Sequence, residues 1–196
     1  MRKKITGTMF AALLIIASLA LIQCRGKKEI AAIPAGETPV DVLCSGEEYF
    51  TNNEYFRANS VGESIDQANS KRMALSNARA ELAGQISVLV RGVVDNYFKQ
   101  AGVETRAEFA QRYEGLFREI VDERLSGTRV ICEEVTRTSN GIYKTYLAIE
   151  LAGNDILSMA DRRITNDERL RIDYDYERFK RTFDEEIEKL RQERGY

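Results

Sequence analysis

Three thiols are the side chains in this 196-residue chain whose type and setting best suit covalent chemistry: Cys24, Cys44 and Cys132. Cys24 stands at the exit of an apolar run, Met9 to Ile22, behind a basic start of Arg2, Lys3 and Lys4. Such charges stay on the cytoplasmic side while the apolar segment enters the bilayer, as in a secretory signal peptide. The run is too short for a comfortable span, which takes about 20 apolar residues. The ending Leu21-Ile22-Gln23-Cys24 looks like a bacterial lipobox, with residues 1–23 removed and the Cys24 thiol acylated. An uncleaved anchor, or a secretory peptide cut elsewhere, is the alternative. Two or three acyl chains on one residue give stable membrane attachment, where one chain holds only marginally.

Export makes the other two thiols a natural pair, because disulfides persist outside the cytoplasm. Cys44 and Cys132 either bridge or remain two buried thiols, since free cysteine is also a common core residue. The chain contains no histidine, which removes the usual general base, the usual partner of a nucleophilic Ser or Cys, and the commonest zinc ligand. Carboxylates would have to carry any catalysis. Glu133 and Glu134 are neighbours on an expected strand and point to opposite faces, so they make a poor acid/base pair. Glu47 and Glu48 carry no better spacing. The run Asp173-Tyr174-Asp175-Tyr176-Glu177 lacks the glycine and closing glutamate of a calcium loop, and no phosphate-cradling glycine motif occurs. No catalytic residue, metal or cofactor is expected. The net charge is −2, and loss of three basic leader residues takes it to −5, which argues against nucleic acid as a partner.

The elements that hold these residues read clearly in places. Residues 24–39 carry both prolines of the chain and no periodicity, as a tether would, with Arg25, Lys27 and Lys28 close to headgroups or simply solvated. Glu54 to Val61 alternates as a strand, with Tyr55 and Phe56 on opposite faces and Gly62 closing it. Ser64-Ile65-Asp66-Gln67 reads as a capping box that opens a long helix. Its apolar stripe is Ile65, Ala68, Leu75, Ala78, Leu82, Ile86, Leu89, Val93 and Tyr97, interrupted at Arg72 and stopped by Gly102. Gly84 and Gly92 lie within it, either as points of close backbone approach or as simple propensity costs. A second capping box at Thr105 opens a shorter helix faced by Phe109, Tyr113, Leu116, Phe117, Ile120 and Val121, so the pair forms a helical hairpin.

A β-hairpin follows, with Asn140-Gly141 as a two-residue type I′ tip. That tip pairs Cys132 with Ile149 and Val130 with Leu151, which puts Cys132 on the buried face of Leu147, Ile149 and Leu151. Asn154 is the expected cap of the next helix. Residues 166–196 then read as a charged amphipathic helix whose narrow stripe includes Phe179, Phe183, Ile187 and Leu190. This stripe either packs along its own domain or meets another chain. It is the candidate partner contact.

The order of these elements, with the block QANSKRMALSNARAELAGQISVLV and its Ala68, Ala74, Ala78, Arg79, Leu82 and Ala83, followed by the YKTYLAIEL strand, resembles the LPP-twenty-like lipoproteins. These are small bacterial outer-membrane lipoproteins whose domain is similar to the N-terminal part of flagellar assembly protein T. The resemblance implies an envelope address, a lipid anchor and no catalytic residues. The expected architecture is α+β: a long helix and helical hairpin packed on a small antiparallel sheet, with a C-terminal amphipathic helix. Residues 40–165 form the domain and 166–196 the helix. The expected role is a non-enzymatic structural or protein-interaction module, anchored in the outer membrane and facing the periplasm. The alternative is a periplasmic small-ligand or lipid-binding module. Oligomeric state is left open by the sequence.

Overall fold

The first strand is launched by a side chain. Asn52 Oδ1 accepts the amides of Glu54 and Tyr55 at 2.9 and 2.8 Å, which turns the backbone into β1, Tyr55–Ser64. The computed structural model describes residues 36–38, 40–101 and 107–195. The chain divides into two units, Met1–Val40 and Asp41–Tyr196, and every element named below belongs to the second. Cys24, the leader 1–23, nearly all of the tether 24–39, and the expected signals at Gly102 and Thr105 lie outside the described residues.

Helix α1 runs Gln67–Ala101 and α2 runs Ala107–Leu125. The N-cap of α1 is Asp66, not Ser64: its carboxylate accepts the Asn69 amide at 2.8 Å and its carbonyl the Ser70 amide at 3.0 Å. Ser64 remains in β1, two residues too early, its hydroxyl accepting only the Asp66 amide at 3.2 Å. The stripe shifts accordingly. Ile65 and Ala68 are exposed, and Ser70 and Ala74 begin the buried face that continues through Ala78, Leu82, Ile86, Leu89, Val93 and Tyr97. Arg72 therefore interrupts nothing. Gly62 also does not end β1. It sits inside the strand where α1 crosses, and a methyl group there would run into the Ser70 carbonyl and come within 2.5 Å of the Ala74 amide nitrogen. Of the two helix glycines, Gly84 has nothing within 4 Å, while Gly92 faces the Glu186 carboxylate.

Strands β2, Arg129–Arg137, and β3, Tyr143–Ala152, form an antiparallel hairpin, and β1 pairs antiparallel with β3, so the order is β1-β3-β2. The tip has three residues, not two. Thr138 N donates to Ile142 O, and Gly141 N to Thr138 O, both at 2.9 Å, and Gly141 alone takes positive φ, +82°. That is a turn followed by a left-handed glycine, the second common hairpin connection. One extra tip residue slides the register by one, so Cys132 lies opposite Ala148 instead of Ile149 and changes face. A bulge between Val130 and Cys132 then resets the pairing, bringing Arg129 opposite Glu150.

At 1.5 Å per residue α1 is about 52 Å long, whereas a ten-residue strand spans roughly 33 Å. The helix overshoots the sheet. Its first part covers Phe56, Ala58, Leu147 and Ile149, all nearly inaccessible, and side chains fill that interface. Its last part needs other cover, supplied by α2 and by the last helix, α4 (Tyr176–Glu193), while the helix between them, α3 (Gly153–Asn166), packs against α2. An aromatic cluster forms there: Tyr97, Phe98, Tyr113, Phe117, Tyr174 and Phe179 have ring centroids 5.3 to 6.5 Å apart. Helix α3 begins directly at the strand end, so Asn154 lies inside it and caps nothing.

Between α3 and α4 the chain makes a turn held by Tyr97, whose hydroxyl donates to Asp173 O at 3.1 Å and accepts from Asp175 N at 2.8 Å. The C-terminal helix thus begins at Tyr176, with Asp175 as its cap, instead of near residue 166. It belongs to the same unit as the rest of the domain. The fold is α+β, one helical layer against one face of a small antiparallel sheet.

Candidate functional site

The helical layer leaves the other face of the sheet to be covered by the entry segment, residues 41–53, and this face carries the chemistry that remains. Alternation places Arg57, Asn59 and Val61 of β1, Tyr146, Ala148 and Glu150 of β3, and Cys132 and Glu134 of β2 on it. Cys44 reaches across and is joined to Cys132, with Cα atoms 5.6 Å apart. Cys44 adopts φ +57°, a left-handed conformation that an L-residue takes only when the surroundings impose it. The face switch caused by the hairpin tip explains the geometry. On the helical face, Cys132 would have pointed away from the entry segment.

Next to the bridge, Glu150 is only 3% exposed yet charged. Arg57 Nε donates to its Oε2 at 3.0 Å and Arg129 Nε to its Oε1 at 2.9 Å, with a second bond from Arg129 Nη2. Burial pushes this carboxyl up, but the two guanidinium groups outweigh burial and hold it below the ordinary carboxylate range. Both oxygens are occupied, so Glu150 is no general base. It is a clamp that joins all three strands through side chains.

A second polar network closes one edge of the sheet. Thr51 Oγ1 accepts the Arg57 amide at 2.9 Å, and Gln85 Nε2 of α1 donates to the Arg57 carbonyl at 3.1 Å. Thr51 and Gln85 also bond each other at 2.9 Å, both buried. Asn52 N donates to Tyr55 O at 3.0 Å, and Asn77 reaches the Val61 carbonyl at 3.4 Å. The outward main-chain groups of Tyr55 and Arg57 and the Val61 carbonyl are thereby capped, a device that hinders an edge strand from pairing further.

The opposite edge is different. Strand β2 is exposed along nearly its whole length. Thr138 bonds toward β3 at the tip, so by alternation Thr136 and Glu134 do likewise, while Glu133, Val135 and Arg137 turn their N–H and C=O groups outward. Among the described residues nothing caps these groups.

The residues singled out from the sequence distribute as follows. Glu133 lies on the helical face and pairs with Lys71 at 2.8 Å, while Glu134 lies on the other face, so the two form no dyad. Glu47 and Glu48 lie in a single 3-10 turn, Glu47–Tyr49. Asp175 uses its carboxylate to accept the Arg178 amide at 3.0 Å and to pair with the Arg178 side chain. Among the described residues no group of Cys, Asp and Glu side chains is arranged to hold a metal ion. No helix among them is long and apolar enough to cross a membrane.

The expected partner contact is overturned. Phe179, Phe183, Ile187 and Leu190 are all at most 5% exposed, packed against α1 and the sheet, with Phe183 edge-on to Phe56 at 6.5 Å. The stripe is apolar because it closes this domain's own core, and the solvent side of α4 carries Lys180, Arg181, Asp184 and Glu185. Neither the Glu150 clamp nor the contrast between the two edges can be read from residue types alone. The clamp depends on the bulge at Val130 and on the pairing of β1 with β3, and the edge contrast on where the entry segment and α1 lie. Compared with known proteins, the chain matches no family model, no curated protein and no solved structure.

Proposed function

We propose that this chain is a non-enzymatic module of the bacterial cell envelope, held to the outer membrane by acyl chains on Cys24 and offering an open sheet edge to another polypeptide. The observation that carries the interaction half of this reading is the inequality of the two edges. Side chains from two separate segments, the entry segment and α1, cap β1 at Tyr55, Arg57 and the Val61 carbonyl, and none among the described residues caps β2. An unprotected edge is a template for strand addition, which proteins ordinarily blunt. The anchoring half rests on the sequence from Arg2 to Cys24 and on the resemblance to LPP-twenty-like lipoproteins. The bridge between Cys44 and Cys132 suits an oxidising compartment such as the periplasm. Arg25, Lys27 and Lys28 following the lipidated cysteine fit the periplasmic leaflet.

The alternative of a small-ligand module would have to use the polar groove at the seam of β1 and α1, lined by Arg57, Asn59, Asn77, Glu81 and Gln85, since buried apolar side chains pack between α1 and the sheet beneath it. A photo-crosslinking residue placed at Val135, compared with one at the exposed α1 position Val88, tests the interaction half in intact cells. Adducts are expected from Val135 alone. Equal adducts, or none from Val135, would remove the edge from consideration. Intact mass of the purified protein tests the anchor: an acylated Cys24 at the N-terminus is expected, and an unmodified thiol rejects it.

A further inference from the structure

We infer that the occupant of the open edge is the same strand of a second copy, paired antiparallel about a two-fold axis through Val135; this rests on the edge being an interaction site at all. The inference follows from which residues face outward and what charges they carry. Glu133, Val135 and Arg137 present the outward main-chain groups. A second identical strand must therefore align so that these residues fall opposite one another as hydrogen-bonded pairs. Only a few symmetric registers satisfy that condition. Centring on Glu133 sets Glu133 against its own copy, and centring on Glu134 does the same with Glu134. Each places like charges directly opposite, which destabilises a strand pair.

Centring on Thr136 brings no like charges together but leaves Glu133 without an opposite charge; centring on Val135 both removes the conflict and supplies one. Val135 then meets Val135, and Glu133 of each copy meets Arg137 of the other, so two opposite-charge pairs flank an apolar one. Glu134 falls opposite Thr136, which brings no repulsion. The side chains of Glu133, Val135 and Arg137 share the helical face. Glu133 would lie between its own Lys71, 2.8 Å away, and the incoming guanidinium, while Val135 is already 38% exposed and would gain cover. The two three-stranded sheets would join as β1-β3-β2-β2-β3-β1, and the new edges would be the β1 strands, capped at Tyr55, Arg57 and the Val61 carbonyl. Growth beyond two copies is thereby disfavoured. A closed, isologous pair is the form that a self-complementary patch produces.

Charge exchange tests this on the exported chain, measured by sedimentation equilibrium into the high micromolar range at low salt. The wild type is expected to dimerise, E133R and R137E each to be monomeric, and the E133R/R137E double variant to dimerise again, with circular dichroism confirming that all four fold. Self-pairing is overturned if the wild type stays monomeric, or if the dimer ignores the charge changes. In either case, adducts from Val135 to a different protein would leave the edge-docking reading standing, and absence of any adduct would end both.

Discussion

The two outer strands of this sheet solve the same physical problem in opposite ways. Strand β1 has the outward groups of Tyr55 and Arg57 and the Val61 carbonyl satisfied by Thr51, Asn52, Asn77 and Gln85, while β2 leaves those of Glu133, Val135 and Arg137 to solvent. Closure at β1 needs a helix close enough for Gln85 to reach, and Gly62 permits that approach. No helix among the described residues lies against the β2 edge. Protection of an edge is here a by-product of where the long helix is seated, so the unprotected edge is the one the helix leaves behind.

The largest effect should come from unseating the helix. Gly62→Ala places a methyl group against the α1 backbone at Ser70 and Ala74, which cannot yield as a side chain tip would. A loss of about 4 kcal/mol in urea unfolding is expected, the size of a severe packing defect. The same change at Gly84, with open space around it, should stabilise by up to about 1 kcal/mol. Equal effects at both sites would show that α1 does not depend on close approach to β1.

Removing the bridge tests whether β2 is fastened mainly by Cys132. The linked residues are 88 apart, and loss of such a closure costs about 3 kcal/mol, up to roughly 4.5 in the chain-entropy account. Paired Cys44→Ser and Cys132→Ser changes should lower stability by that order, with β2 amides losing hydrogen-exchange protection before those of β1. Uniform loss across the sheet would mean that the bridge does not favour one edge.

Glu150 ties both edges to the central strand, and Glu150→Gln should cost about 2 kcal/mol at neutral pH, less than a fully buried pair because Arg129 is largely exposed. The sign of its pH dependence is fixed. Its folded pKa is depressed, so the clamp contributes fully above the ordinary glutamate pKa and its contribution is lost as pH falls through the lower folded value. Wild-type stability should thus drop below about pH 4 more steeply than that of Glu150→Gln. Parallel profiles would assign the acid sensitivity elsewhere.

The smallest effects compare the edges directly. Gln85→Ala removes two buried bonds and leaves the Thr51 hydroxyl as the one remaining side-chain partner of the Arg57 carbonyl, and should cost about 1 kcal/mol. Glu133→Ala removes an ion pair whose lysine is half exposed, and should cost under about 0.5 kcal/mol. A reversed ranking in thermal unfolding would contradict the assignment of closed and open edges.

Much of the architecture is legible in the sequence because it depends on local pattern. The alternation around Phe56, the stripe from Ala78 onward, the apolar face of α2 and the existence of the hairpin all need only neighbours three or four residues away. What escapes is set by choices between near-equal local solutions. Ser64 and Asp66 both qualify as caps, and the position of α1 on Gly62 decides for Asp66. Asn140-Gly141 suits a two-residue tip, but with Asn140 outside positive φ the loop takes one residue more; that single step moves Cys132 to the other face, and the bulge beyond it sets Arg129 opposite Glu150. The stripe of α4 is equally ambiguous in one dimension. Only the length of α1 beyond the sheet shows that the domain itself requires it.

The Cys44–Cys132 bond also sets the route that mechanical load takes. A pull applied where the second unit begins, at Asp41, reaches Cys44 within a few residues and crosses through sulfur to the middle of β2. The chain between the two cysteines, which includes β1, α1 and α2, is thereby bypassed and cannot be drawn out as slack while the bond holds. Reduction would reroute the same pull into the residues before β1, where strands separate bond by bond. The thiol pair is thus a fuse in a force path, and its oxidation state decides whether tension at the entry segment is borne by the sheet or peels it.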